Sequence, residues 1–454
     1  MKILHYGLGF PPYRTGGLTK YCIDLILTQK EMGHDVAMMW PGKFTFSGHF
    51  VRIKKNVSSN GIMGFQVINP LPVPLDEGIK DIEAYMRKCP NPQVYTEFLK
   101  EYAPDVIHIH TLMGLHRELL EEAKKIGVRI VFTTHDYFGI CPKVTLFRNG
   151  QVCEGDCEYC TSCNESALSL KKIRILQSGL YRTLKDTKIV KKMRASHRQE
   201  FFEQGSMEEQ LSEENVDDRT DGGEYEKLRN FYMSFFELID RVHFNSSVTE
   251  SVYKKYLPEN SQGKVINITH REISDHRKIK KFDSEILRIT YLAPAKPFKG
   301  YGILRDALDE LWNEGEHRFR LTMYNESGDS REYMEIHEAF HYSEMAEMFE
   351  KTDVLIAPSV WYETYGFTVL EAISYGVPVI VSENVGAKDL VENEEYGMII
   401  EPTKQAIKQA VERVIQDRSW LEKCNWNIVQ EMKLDKIIDS FLEIQKLYED
   451  IGSI

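Results

Sequence analysis

Asp353-Val354-Leu355-Ile356-Ala357, then Pro358-Ser359-Val360-Trp361-Tyr362-Glu363-Thr364-Tyr365-Gly366-Phe367-Thr368-Val369-Leu370-Glu371, is the stretch that decides the fold. The apolar run from Asp353 to Ala357 reads as a buried strand, and Thr368 to Tyr375 as the helix leaving the turn after it. The first N–H groups of a helix have no intrahelical partner, so a strand, a turn and a helix N-terminus together make an anion site. Glu371 falls about one turn into that helix, and Glu363 lies before the turn, eight residues earlier. This placement suits a nucleotide-linked sugar. The phosphates would sit on the helix end, with Glu371 at the ribose and Glu363 at the sugar.

The residues around this core carry a resemblance. Glu363 and Glu371 resemble the E-x7-E motif of the retaining GT-B glycosyltransferases of family four. Glu371-Ala372-Ile373-Ser374-Tyr375-Gly376-Val377-Pro378-Val379-Ile380 is similar to that family's EAMA-x-G-x-PVI run, and Asn384-Val385-Gly386 to Gly397 to its GG-x-x-E…G segment. The resemblance implies an α/β GT-B fold: two doubly wound Rossmann-like domains facing a cleft, with a C-terminal helix crossing back to the first domain. It implies transfer of a sugar from a nucleotide-diphosphate donor, with no metal needed for catalysis. Tyr365, Gly366 and Phe367 would then line the donor site.

The rest of the chain reads in the same way. Lys2 to Tyr6 is a strand. Leu18, Tyr21, Cys22, Leu25 and Ile26 fall on one helical face, Gly33 ends that helix, and Val36 to Trp40 returns as a strand. A second unit follows as strand 105–110, helix 117–126 and strand 128–133. Strands at 287–292, 318–324, 354–357 and 377–381 and a helix at 303–311 repeat the pattern. Such βαβ units imply parallel sheets with ligands at the strands' carboxyl ends. The expected division is 1–280 for an acceptor-side domain, 281–434 for a donor domain and 435–454 for the crossing helix. The first domain carries a cysteine-rich segment at 141–163 and a charged helical insertion at about 168–230.

Gly16-Gly17 lies in the first βα turn, where the missing Cβ lets backbone amides approach a phosphate. Thr134-His135-Asp136 resembles the family's T-x-HD element, which implies that His135 contacts the donor sugar. Lys299-Gly300 matches the lysine that neutralises the donor phosphates. The family has an arginine five positions earlier. Pro294 stands there in this chain, and Lys296 is the nearest cation. His108 and His116 read as structural, and His110 as structural or as an acceptor contact.

Net charge is −12, which argues against nucleic acid as a partner. No apolar run reaches the length needed to span a bilayer, and the first residues read as a strand, not a signal peptide. The expected location is cytoplasmic or at the inner face of the membrane. Five of eight cysteines cluster as Cys141, Cys153, Cys157, Cys160 and Cys163. Clustered thiols in a reducing compartment suit a structural zinc on Cys153, Cys157, Cys160 and Cys163, with Cys141 able to replace one. An iron–sulfur cluster or free redox thiols are the other readings, and Cys153-x3-Cys157-x2-Cys160 also matches the ligand triplet of radical enzymes. Residues 171–198 carry about ten basic residues and read as a basic amphipathic helix able to meet an anionic membrane or acceptor; the acidic run 200–226 can neutralise it. The expected acceptor is a saccharide or a lipid-linked acceptor, in cell-surface polysaccharide or glycoconjugate synthesis. A sugar-nucleotide epimerase or hydrolase on the same fold, and a non-catalytic zinc-bearing scaffold, are the alternatives.

Overall fold

A computed structural model describes residues 1–452 apart from 46–49, 58–60, 75–77, 156, 185–186, 188–221, 325–329, 339 and 392–393. Two sheets organise the chain. The first contains β1 (Lys2–Tyr6), β2 (Asp35–Pro41), β3 (Arg52–Val57), β4 (Met63–Ile68), β5 (Val106–Ile109) and β6 (Arg129–Thr133). A short hairpin, β7 (Phe147–Arg148) and β8 (Gln151–Val152), stands apart from it, and β9 (Arg241–Phe244) and β10 (Gly263–Val265) complete it. Its order is β10-β9-β6-β5-β1-β2-β4-β3. All pairs are parallel except β3 with β4.

The apolar strands sit centrally because parallel strands are covered on both faces. Ile3, Leu4, Ile107, Ile109, Ile130 and Val131 are fully buried. β3, Arg-Ile-Lys-Lys-Asn-Val, takes the edge, where its cations protect unpaired backbone groups from a further strand.

The second sheet contains β11 (Leu287–Tyr291), β12 (Phe319–Met323), β13 (Met334–Ile336), β14 (Val354–Ala357), β15 (Val379–Ser382) and β16 (Gly397–Ile400). It is wholly parallel, in the order β13-β12-β11-β14-β15-β16. In both sheets the chain leaves one strand in one direction and later returns to its other side. The reversals fall between β1 and β5 and between β11 and β14, and loops at such points open a crevice for ligands. Residues 266–286, between β10 and β11, contain no helix or strand.

Three expectations need correction. The leaving helix begins one residue earlier, as Phe367–Ser374. The C-terminal helix is two pieces, Leu434–Ile438 and Ser440–Glu449, separated by Asp439. The basic stretch is not one helix where it is described. Leu170–Leu176 and Gly179–Leu184 are separated at Gln177-Ser178. Gln177 is anchored through both side-chain ends to the backbone of Val73, and its carbonyl accepts from Phe44 N–H, so the chain turns there. The remainder of that stretch and most of the acidic run lie outside the described residues. Among the described residues no helix is long and apolar enough to cross a membrane.

Candidate active site

The loops at the second sheet's reversal carry the charged pair of the site. Lys299 closes a short turn, Pro297–Lys299, after β11, and Glu363 lies in the loop after β14. Lys299 Nζ donates to Glu363 Oε1 at 2.5 Å, and Ser359 Oγ donates to the other carboxylate oxygen. Glu363 is held along its backbone as well. Its N–H donates to Asn384 O at 2.9 Å, and its carbonyl accepts from Gly386 N–H at 2.9 Å. Gly300 is required beside Lys299. Its φ is 79°, and a Cβ there would lie 2.0 Å from the Pro358 carbonyl oxygen. The lysine loop therefore packs directly on the backbone that leads to Glu363.

Lys299 Nζ also lies 5.0 Å from the Trp361 ring centre, and Lys296 Nζ 5.3 Å from that of Phe298. Both expected cations thus flank one aromatic pair, Phe298 and Trp361, whose ring centres are 5.1 Å apart.

Two helix N-termini meet across the seam between the sheets. Gly17–Glu31 starts behind Gly16 with φ 106°, and Phe367–Ser374 behind Gly366 with φ 100°. Neither has a capping side chain or an acid in its first turn, so their N–H groups and positive dipole ends stay available to an anion. A Cβ on Gly17 would sit 3.4 Å from Phe367 Cε2, which puts the two ends against each other; at Gly16 it would meet nothing within 4 Å.

Glu371 is 5% exposed. Its Oε1 accepts from Tyr342 OH at 2.8 Å and lies 3.2 Å from His270 Nε2. Sequence reasoning missed both partners. Neither belongs to a periodic pattern, and only the fold brings 270 and 342 to 371.

The first domain grips the turn between the glutamates. Thr364 Oγ1 donates to His135 O at 3.2 Å, and Ser246 Oγ donates to Thr364 O at 2.7 Å. Ser247 N–H donates to Asp389 Oδ2 at 2.6 Å, so an acid of the second domain faces the N-terminus of the helix Ser247–Tyr253. None of Ser246, Ser247 and Asp389 was picked out from sequence. The Ser246–Thr249 capping box was the available signal.

His135 follows β6, as expected. Its Nε2 lies 3.2 Å from His110 Nδ1, and its ring centre 4.8 Å from that of Tyr21. Burial pushes its pKa down to about 3, with the nearby His243 second. Asp136 beside it is pushed up to about 6 by burial, against hydrogen bonds from Phe138 N–H and Thr111. His110 is not an acceptor contact. It is fully buried and hydrogen-bonded between His5 and His135. Tyr365 is 2% exposed, and its hydroxyl has no partner among the described residues. Its backbone carbonyl accepts from Ala387 N–H at 2.7 Å.

The cysteine segment lies against loops of the second domain. Phe147 on its hairpin is 6.2 Å from Phe298, ring to ring, and Glu154 accepts from Tyr362 OH at 3.3 Å. Cys157 and Cys160 share a side-chain hydrogen bond, and Cys141 accepts backbone N–H groups of Lys143 and Leu146. Among the described residues the three metal-ligating side chains whose ligand atoms lie within 4.8 Å of one another are elsewhere, at His5, Cys22 and His110.

Comparisons with known proteins agree with this architecture. Residues 273–431 match the family model for glycosyl transferases group 1, and residues 15–151 that for glycosyltransferase family 4. A 42.6 kDa protein in the cps region of Klebsiella pneumoniae is 21% identical over 86% of this chain and 87% of its own. Among solved structures, sucrose-phosphate synthase from Thermosynechococcus elongatus superposes with a TM-score of 0.60 at 13% identity, covering 100% of this chain and 99% of that one. Anabaena HepE in complex with UDP and glucose gives 0.56 at 14% identity, covering 100% of both. With two family models matched in order over about two thirds of its length, and this fold beneath them, the chain belongs to the group 1 glycosyltransferases and has their two-domain GT-B fold.

Proposed function

We propose that the protein is a retaining glycosyltransferase that takes a nucleotide-diphosphate sugar and builds a cell-surface polysaccharide or glycoconjugate. The observation that carries this reading is the meeting of two uncapped helix N-termini, at Gly17 of the first domain and Phe367 of the second, with the second domain also holding the Lys299–Glu363 pair. A diphosphate is the ligand such an arrangement fits. The Anabaena neighbour was solved with UDP and glucose, which supports the donor class, and the Klebsiella relative's place in a cps region supports the product class.

In the reaction the bond from the sugar's anomeric carbon to the diphosphate breaks, and its electron pair leaves with the phosphate oxygen. The acceptor oxygen bonds the same carbon from the same face, and its proton passes to the departing diphosphate. Lys299 and the amides at both helix ends oppose the growing negative charge, while Glu363 holds sugar hydroxyls and Glu371 the ribose. Thermal-shift screening of nucleotide sugars, followed by NMR of the anomeric proton in the product, tests the reading. Stabilisation by one donor and an unchanged anomeric configuration support it. Inversion, or nucleotide release that needs no acceptor, overturns it.

The ribose role of Glu371 makes a graded prediction. Tyr342→Phe removes one hydrogen bond that orients the carboxylate but leaves its charge in place, and should raise the donor KM several-fold, in line with about 1 kcal/mol. Glu371→Gln removes the charge and should raise it by more than tenfold. The two KM values, measured with a saturating acceptor, check the order.

The cysteine segment is read as a structural metal site. Burial pushes the Cys141 thiol up to about 11, the neighbouring Cys163 and Cys153 add to the rise, and N–H···S bonds from Leu146 and Lys143 oppose it, so an ion bound there would have to displace the thiol protons. The two-residue strands of the hairpin give the segment little other means of order. Closing on an ion would require the thiols to draw together. Elemental analysis of protein purified without chelator should find about one zinc per chain, and its removal should lower the melting temperature. Less than about a tenth of an equivalent of any transition metal, with all eight thiols titratable, would rule the site out.

A further inference from the structure

A line of buried hydrogen bonds crosses the first domain from His135 to the C-terminal helix. His135 Nε2 meets His110 Nδ1 at 3.2 Å, and His110 Nε2 meets His5 Nδ1 at 3.0 Å. His5 Nε2 meets Gln29 Oε1 at 2.8 Å, and Gln29 Nε2 meets Tyr448 OH at 3.1 Å. Tyr448 OH meets His108 Nδ1 at 2.6 Å, and His108 Nε2 meets Thr133 Oγ1 at 2.6 Å. Thr133 Oγ1 meets His243 Nδ1 at 2.9 Å, and His243 Nε2 ends on the carbonyl oxygen of Ile266 at 2.7 Å. Apart from His135, whose pKa burial also depresses, every side chain in the line is buried in the static structure. Burial holds all five imidazoles neutral at pH 7: His5 and His243 are pushed down to about 4, and His108 and His110 well below the ordinary value.

A neutral imidazole has one donor and one acceptor nitrogen, and a carbonyl can only accept. The Ile266 carbonyl therefore sets the sense of the whole line. His243 must donate from Nε2, so its Nδ1 accepts the Thr133 hydroxyl proton. Thr133 oxygen then accepts from His108 Nε2–H, and His108 Nδ1 accepts from Tyr448. Tyr448 oxygen is left to accept from the Gln29 amide nitrogen, which turns the Gln29 oxygen towards His5 Nε2–H. His5 Nδ1 accepts from His110 Nε2–H, and His110 Nδ1 from His135 Nε2–H. All five histidines are thereby Nε2–H tautomers. His135 is left with an acceptor lone pair on Nδ1, which has no partner among the described residues.

We propose that Tyr448 is a positioning residue for the transfer site: through Gln29, His5 and His110 it fixes His135 as an acceptor for a hydroxyl of the bound sugar. The tautomer assignment follows from the hydrogen-bond geometry and the burial of the line, whereas the sugar hydroxyl as its recipient rests on the reading under Proposed function. The line also gives the C-terminal helix a task at a distance, since Tyr448 joins the His135–His110–His5–Gln29 half to the half that ends on Ile266.

Histidine 15N NMR of the deuterated protein at pH 7 tests the assignment without any variant. Five Nε2–H tautomers are expected, and an Nδ1–H signal from any of the five overturns the proposal. Tyr448→Phe keeps the ring and cuts the line at its middle. His108 and His243 should keep their tautomer, because Thr133 still faces the Ile266 end, while His135, His110 and His5 become mixed. With a working donor, Tyr448→Phe should lower kcat/KM about tenfold with saturable nucleotide diphosphate binding unchanged. A mixed His135 tautomer at wild-type kcat/KM would overturn the positioning role. Absence of any sugar transfer by the wild type, with the five tautomers as expected, would overturn the functional reading and leave only the tautomer assignment standing.

Discussion

Glu363→Gln should reduce kcat for sugar transfer about 100-fold while leaving the affinity for nucleoside diphosphate equal or higher. The glutamine keeps the shape of the side chain and can still accept from Ser359. The loop is held independently by the backbone bonds of residue 363 to Asn384 and Gly386, so the fold should survive. What disappears is the negative charge that meets Lys299 at 2.5 Å. In the free protein that contact occupies the cation assigned to the donor phosphates. Binding the donor means sharing Lys299 between Glu363 and phosphate, and removing the carboxylate frees the lysine for phosphate. The sugar, however, loses a charged acceptor for its hydroxyls. A charged hydrogen bond is worth roughly 1.5–3 kcal/mol, and 100-fold corresponds to about 2.7 kcal/mol, so one such bond accounts for the loss. Steady-state kinetics with calorimetric titration of the nucleoside diphosphate separates the two effects. Unchanged kcat would remove Glu363 from the site.

How far the sequence foretold this site follows from which interactions are local. Glu363, Gly366, Phe367 and Glu371 lie within one strand-turn-helix unit, and their placement follows from spacing because a single helix N-terminus sets their geometry. The first βα turn, with Gly16-Gly17, is legible for the same reason. That these two units face each other is not written in either; it depends on how the two sheets stack, and Phe367 against Gly17 is visible only in three dimensions. His270 and Tyr342, which hold Glu371, come from irregular segments far away in the chain. The buried histidine line shows the limit from the other side. His108, His110 and His135 stand out in sequence, but their meaning depends on Gln29, Thr133 and Tyr448, which look like ordinary helix and strand residues. The antiparallel edge strand β3 is not legible in the sequence, because its run of cations hides the alternation of a strand. The C-terminal helix reads as one piece because its apolar period continues through Asp439, where the backbone leaves the helix.

Lys299→Ala should be the most damaging single change to donor use. Its expected effect is a rise in donor KM together with a fall in kcat, amounting to about 100- to 1000-fold in kcat/KM, the range found when a fixed group opposing developing charge is removed. The side chain is 16% exposed and pairs with a carboxylate 17% exposed, so its loss also leaves Glu363 without its counter-charge in a half-closed site. That electrostatic cost is separable. In a double-mutant cycle with Glu363→Gln, the stability losses should be less than additive, because the second change removes the charge that the first one stranded. The kinetic losses should not recover. Lys296→Ala gives the comparison. Pro294 occupies the position where an arginine would be expected, and its carbonyl accepts from Lys296 N–H at 2.7 Å, which folds the chain so that Lys296 and Lys299 flank the same two aromatic rings. If Lys296 supplies the second cation, Lys296→Ala raises donor KM about tenfold with little change in kcat, since a point charge without arginine's bidentate fork mainly adds binding. Wild-type kinetics in Lys296→Ala would mean that Lys299 and the two helix ends hold the diphosphate without a second cation. The loss in Lys299→Ala should then lie at the upper end of its range.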